Sequence, residues 1–184
     1  MTKKQVKEAI RKAVKSGNWM IRTDNNGYSY KGTFKWKPLG QWTEAPDWDP
    51  TPECGHGLHG QTLEYGGFIT KGNRLLFCDI HPESPVVPID GNKVKVKKAR
   101  ILAINDLSML KNQEFKGSLD LADTPIEQIP KGLKVGGNLN LHYTPIKKLP
   151  EDLKVGGDLD LSNTPIEQLP KSLKVEGIIY TDFF

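Results

Sequence analysis

GSLDLADTPIEQIPKGLKVG, from Gly117 to Gly136, is followed without a gap by GNLNLHYTPIKKLPEDLKVG from Gly137 and GDLDLSNTPIEQLPKSLKVE from Gly157. A partial fourth copy, GIIYTDFF, begins at Gly177. A fixed period of 20 residues is the signature of a solenoid, in which each unit packs only against its neighbours. Within a unit, Leu119 and Leu121, Leu139 and Leu141, and Leu159 and Leu161 alternate with polar residues. Alternation at period two predicts a short strand with its leucines turned inward. The Thr-Pro step ends the strand, because proline has no amide proton to continue a ladder. Ile126, Ile146 and Ile166, then Leu133, Leu153 and Leu173, then Val135, Val155 and Val175, complete an apolar set that one unit cannot bury alone.

The pattern L-x-L-x-x-T-P-I-x-x-L-P-x-x-L-x-V resembles the short leucine-rich repeats of bacterial proteins, secreted effectors included, over residues 117–180. Thr124, Thr144 and Thr164 stand where many such repeats carry asparagine, so hydroxyls are expected in place of an asparagine ladder. Ile178, Ile179, Phe183 and Phe184 are expected to cover the open end of the stack. Asp120, Asn140 and Asp160 form one polar row between the leucines; Ser118, Asn138 and Asp158 form another. The lysines, Lys131, Lys134, Lys147, Lys148, Lys154, Lys171 and Lys174, are expected outside the strands, leaving one face acidic and the other basic. Such arrays serve recognition, so Asp120, Asn138, Asn140, Tyr143, Asp158 and Asp160 are the candidate contacts for a host protein with basic groups. The alternative is a face that merely keeps the sheet solvated.

Charge divides the chain as the repeat does. Residues 1–116 carry 19 Lys and Arg against 12 Asp and Glu; residues 117–184 carry 7 against 10. Hydrophobic residues make up 36%, enough for modest cores. No apolar run is long enough to span a membrane, and no apolar core follows the Lys-rich start, so neither a membrane segment nor a secretory leader is expected. Cys54 and Cys78 do not make a disulfide framework. A reduced, cytoplasmic setting in a bacterial cell is the expectation.

The fold expected is α+β: a small β-rich unit with an N-terminal helix over residues 1–104, a link or solenoid cap over 105–116, and the solenoid over 117–184. The helix is read over 2–16 from Val6, Ile10 and Val14, with Thr2 as cap and Gly17 as stop. Strands are expected at Trp19–Thr23, Tyr28–Tyr30, Arg74–Ile80 and Lys93–Leu102, the last after a turn at Asp90-Gly91. All four tryptophans fall between Trp19 and Trp48. With Lys35 and Lys37 among them they admit nucleic-acid stacking, or simply the core of a β-rich unit short of leucine.

Tyr28-Ser-Tyr, Gly40 followed by Ala45-Pro-Asp-Trp-Asp-Pro, Glu53-Cys-Gly-His-Gly-Leu-His-Gly and Lys93-Val-Lys-Val with Arg100 are similar to an uncharacterised domain of bacterial and phage proteins, over roughly residues 20–104. In that family a Cys-x-x-Gly-(Leu/Phe)-His turn precedes a β-strand and a basic strand. The resemblance implies no established activity; its geometry is similar to ADP-ribosyltransferase-like folds by analogy only. Joined to a repeat tail, it implies a phage or prophage protein.

Three chemistries are open in this unit. Cys54, His56, His59, Cys78 and His81 offer zinc ligands, the Cys78-x-x-His81 spacing being a common one. Cys54 and His59 could form a thiolate–imidazolium pair. The glycine turn 55–60 with Arg22 and Arg100 could hold a nucleotide phosphate, although no Walker or dinucleotide glycine pattern is present. No catalytic constellation is complete, so binding rather than turnover is expected: a phage-type accessory protein that modulates a host macromolecule, as a counter-defence inhibitor. The competing readings are a nucleotide-handling enzyme centred on Cys54, His59, Arg22 and Arg100, with the repeats as targeting device, and a zinc-stabilised nucleic-acid-binding protein.

Overall fold

The structure is a computed structural model describing residues 1–28, 34–66, 72–89 and 93–182. The expected Tyr28–Tyr30 strand in part, the Asp90-Gly91 turn and the end-covering Phe183 and Phe184 lie outside the described residues. Helix α1 runs Lys3–Ser16. The Thr2 hydroxyl accepts from the Gln5 amide while the Gln5 side chain accepts from the Thr2 amide, a reciprocal capping box. Gly17, at φ 71°, closes the other end in the left-handed region. Ala9 and Ala13 are the residues buried most deeply on α1, with Ile10 and Val14 packed beside them. Small residues at the contact let the helix sit close on the sheet beneath it.

The strands that follow are β1 Trp19–Asp24, β2 Trp42–Glu44, β3 Leu58–Gly60, β4 Arg74–Ile80, β5 Val86–Ile89, β6 Lys93–Val96 and β7 Lys98–Ile104. They form two antiparallel sheets, one in the order β1-β4-β7-β2 and one in the order β3-β6-β5. The expected single strand over 93–102 is two strands in different sheets. The break falls at Lys97, where the amides of Lys97 and Lys98 both donate to the Ser84 hydroxyl and the Lys97 carbonyl accepts from Ala45. Strand β5, which sequence reading missed, carries Pro88; it lies at the sheet edge, where a missing donor is tolerated. Met20, Leu58, Leu76, Cys78, Val94, Val96 and Ile101 form one core between these sheets, with Trp36 against it.

Each solenoid coil contributes two strands of two residues. Glu114–Phe115 (β8), Lys134–Val135 (β10), Lys154–Val155 (β12) and Lys174–Val175 (β14) stack as one parallel sheet. Leu119–Asp120 (β9), Leu139–Asn140 (β11), Leu159–Asp160 (β13) and Ile179–Tyr180 (β15) stack as the other. The result is a β-solenoid of about three turns in which residues 20 apart pair directly, as Lys134 with Lys154 and Leu139 with Leu159. Two details differ from expectation. Lys134, Lys154 and Lys174 sit on strands, in register in the second sheet, because the inward Val beside each carries its neighbour into the ladder. The stack also starts one rung before the repeat becomes visible: β8 has no repeat sequence, yet Phe115 occupies the place of Val135. A Cβ on Gly156 would come 2.4 Å from the Gly136 carbonyl oxygen, so the coils approach by backbone alone at this corner.

The solenoid core does not stop at the first repeat. The Trp19 ring lies 5.3 Å from Phe77 and 6.0 Å from Phe115, edge-on to the latter. Through these rings, one buried cluster runs from Ala9 and Ala13 of α1, across Leu75, Phe77 and Leu102, into Leu121, Leu141 and Leu161. The Gln61 side chain donates to the Asp120 carbonyl and the Lys116 amide donates to the Leu63 carbonyl across the same seam.

Candidate functional site

Of the six solenoid residues expected to meet a partner, five are used by the fold. The Asp120, Asn140 and Asp160 side-chain oxygens accept the backbone amides of Ala122, His142 and Ser162, two residues on, in Asx turns that end each strand. Burial pushes the Asp120 carboxyl upward, opposed by the amide it accepts. The outer row ties coil to coil: Ser118 accepts the Asn138 amide, Asn138 accepts the Asp158 amide, and Asp158 accepts the Ile178 amide, at 3.0, 2.9 and 2.8 Å. Thr124, Thr144 and Thr164 instead donate their hydroxyls to the Leu121, Leu141 and Leu161 carbonyls within their own coils.

Tyr143 is the exception. Its backbone lies in the left-handed region at φ 53°, and its side chain is 58% exposed. The same place in the neighbouring coils holds Asp123 at φ 58° and Asn163 at φ 57°, residue types that adopt this conformation readily. A bulky aromatic there costs more, of order 1 kcal/mol. His142 packs edge-on against the Tyr143 ring with centroids 4.3 Å apart. The carboxylate of Asp123 stands along the row, and in the last coil Asp182, in register with His142 and Ser162, accepts the Asn163 amide.

In the N-terminal unit the expected residues divide. Arg22 and Arg100 lie on opposite faces of the first sheet: Arg22 shares the face of Met20 and pairs with Leu76, whereas Arg100 pairs with Asp79, itself opposite Trp19. Arg100 donates to Asp79 at 2.9 Å and stacks on Trp42 at 4.2 Å. Burial raises the Asp79 carboxyl despite that partner. Exposed Cys54 accepts from the Lys93 ammonium at 3.1 Å. His56 faces Asp47 at 3.8 Å, and His81 packs edge-on against Trp42 at 4.7 Å. Cys78 is buried in the core, which pushes its thiol up to about 12. Among the described residues no three His, Cys, Asp or Glu side chains gather into a metal-holding group.

What the structure does bring together was only half legible. His59 on β3 pairs directly with Lys95 on β6. Lys95 is fully buried, its ammonium donating to the Glu53 carbonyl at 3.0 Å and lying 5.9 Å from the Trp48 ring. Gly57, at φ 102°, closes over it; a Cβ there would meet Lys95 Cγ at 2.9 Å and Trp48 at 3.1 Å. Arg22 is 7% exposed, with its guanidinium 4.9 Å from the Trp36 ring. His59 is held near 4, first by burial, then by Arg22, Lys93 and Lys95. Lys95 was hidden in the sequence because Lys-Val-Lys-Val reads as an edge with its lysines in water. Comparisons with known protein families, with curated proteins and with solved structures found no match for this chain.

Proposed function

We propose that this is a binding protein whose solenoid recognises a basic surface on a protein partner through the rim centred on Tyr143. One observation carries the reading: an exposed aromatic occupies a left-handed position that the adjoining coils give to Asp123 and Asn163. Strain kept at an exposed position points to use. Tyrosine is among the residues that most often anchor an interface. Carboxylates at Asp123 and Asp182 flank the row, and the tail carries 10 acidic against 7 basic residues, so a partner with Lys or Arg groups complements it. The five ladder residues expected to make contacts are structural supports of this rim. The resemblances of the sequence set the context: a phage-type accessory protein acting on a host macromolecule, as a counter-defence inhibitor.

The test is affinity capture from nuclease-treated bacterial lysate, with the whole chain as bait. The reading predicts retention of a protein that survives nuclease, weakens as salt rises, and is lost with Tyr143→Ala. Retention that nuclease abolishes, or that Tyr143→Ala leaves intact, contradicts it.

A further inference from the structure

The excess of positive charge in this chain belongs to one helix. The 184 residues hold 26 Lys and Arg against 22 Asp and Glu, a balance of +4. Helix α1 holds Lys3, Lys4, Lys7, Arg11, Lys12 and Lys15 against the single carboxylate of Glu8, a balance of +5. Without α1 the chain has 20 basic residues against 21 acidic ones. All six cations are exposed. Among the described residues the only ion pair on the helix joins Arg11 to Glu8, which leaves the five lysines without a carboxylate. Lys4, Lys7, Arg11 and Lys15 follow at steps of three, four and four, so they line one side of the helix, with Lys3 and Lys12 flanking the row. Ala9 and Ala13 lie on the opposite side, in the core. No acidic residue occupies the first turn; Lys3 and Lys4 stand there against the positive end of the helix dipole. Charge concentrated on one face, held where the helix disfavours it and not used in folding, points to a partner of opposite charge.

We propose that the outer face of α1 binds nucleic acid through its phosphate backbone. The row from Lys4 to Lys15 is about 16 Å long on a rigid helix, a span of about five phosphates along one strand of a duplex. Five of the six cations are lysine, a residue depleted at protein–protein interfaces but suited to phosphate as a point charge. The apolar stripe is already buried in the core, so the helix has no face to sink into a bilayer. Gln5, the one amide side chain on the helix, is held in the capping box, so contact is with phosphate and independent of base sequence. This face stands apart from the Tyr143 rim and does not depend on it.

Fluorescence anisotropy of a labelled mixed-sequence DNA duplex, titrated with the whole chain at several salt concentrations, tests this. Four phosphate contacts predict that the logarithm of the binding constant falls against the logarithm of salt with a slope of about −3 to −4. The triple variant Lys4→Gln, Lys7→Gln, Lys15→Gln should bind at least tenfold more weakly at low salt and flatten that slope by about 3, with its helical circular dichroism intact. Lys154→Gln with Lys174→Gln, on the solenoid, should change affinity less than twofold, and so should Tyr143→Ala. A duplex of unrelated sequence should bind equally well. No binding of the duplex by the unsubstituted chain, or a slope that the triple variant leaves unchanged, overturns the proposal. Binding to phosphatidylserine vesicles or to polyglutamate as tight as to the duplex, and lost with the same triple variant, overturns it equally, by giving the face to a membrane or to an acidic protein.

Discussion

Thr144 turns its hydroxyl back onto the Leu141 carbonyl at 2.7 Å, inside a coil where water cannot replace it. That carbonyl also receives the Thr144 amide, so it keeps one partner when the hydroxyl is removed. Thr144→Val should therefore cost only about 1 kcal/mol, read as a lower denaturant midpoint with an unchanged slope. His59 makes a stronger prediction about pH. Its folded-state pKa of about 4 lies below the ordinary 6.5, so the folded protein binds fewer protons than the unfolded chain in between. The stability tied to neutral His59 is fully present above pH 6.5 and is lost as pH falls toward 4. Burial sets this first, followed by Arg22, Lys93 and Lys95, with Asp47 opposing them. Melting temperatures measured from pH 7 to 4 should fall, and His59→Gln should flatten the decline. An equal decline in both proteins would show that other groups govern it.

Among the elements, the two solenoid sheets carry opposite prospects. Leu141 is fully buried in the middle coil, with rungs on both sides, so Leu141→Ala should cost about 2–5 kcal/mol. In the other sheet Lys134, Lys154 and Lys174 pair in register, like charges directly opposed and exposed to solvent. Lys154→Gln should raise stability by a few tenths of a kcal/mol, more at low salt than at high. Much of this was legible beforehand, and the reason is periodicity. Alternating leucines and a fixed 20-residue spacing specify a stacked coil whatever its neighbours. The helix was equally plain, since Thr2 and Gly17 mark its ends chemically. What was not legible depended on partners distant in sequence. Nothing local in Gln113, Glu114 and Phe115 announces a rung; Phe115 becomes one because Trp19 packs on it. The switch of sheet at Lys97 needs Ser84, and the burial of Lys95 needs Gly57 and Trp48 folded over it. That the ladder residues also hold backbone amides was not legible, because exposure and hydrogen bonding to backbone look alike in a polar row.

For the whole molecule, the continuous core makes helix, sheet and solenoid one cooperative body. Phe115→Ala should cost about 3–5 kcal/mol and shift the tryptophan fluorescence and far-UV transitions together. Two separated transitions would show that the seam at Trp19 and Phe115 carries little energy. The same reasoning predicts that residues 117–184 alone, deprived of that seam and of rung 114–115, melt without a sharp transition. Within this body the fold consumes five of the six polar solenoid residues singled out from sequence and leaves Tyr143 outward and strained. The most direct measurement of that claim is Tyr143→Asn, which installs the residue of the following coil, with heat stability and partner capture read on the same preparation. Relief of the left-handed conformation, about 1 kcal/mol, offsets the lost contact with His142, so the account predicts an unchanged or higher melting temperature together with loss of the captured protein. A melting temperature lower by several degrees, or capture equal to that of the parent, would contradict it.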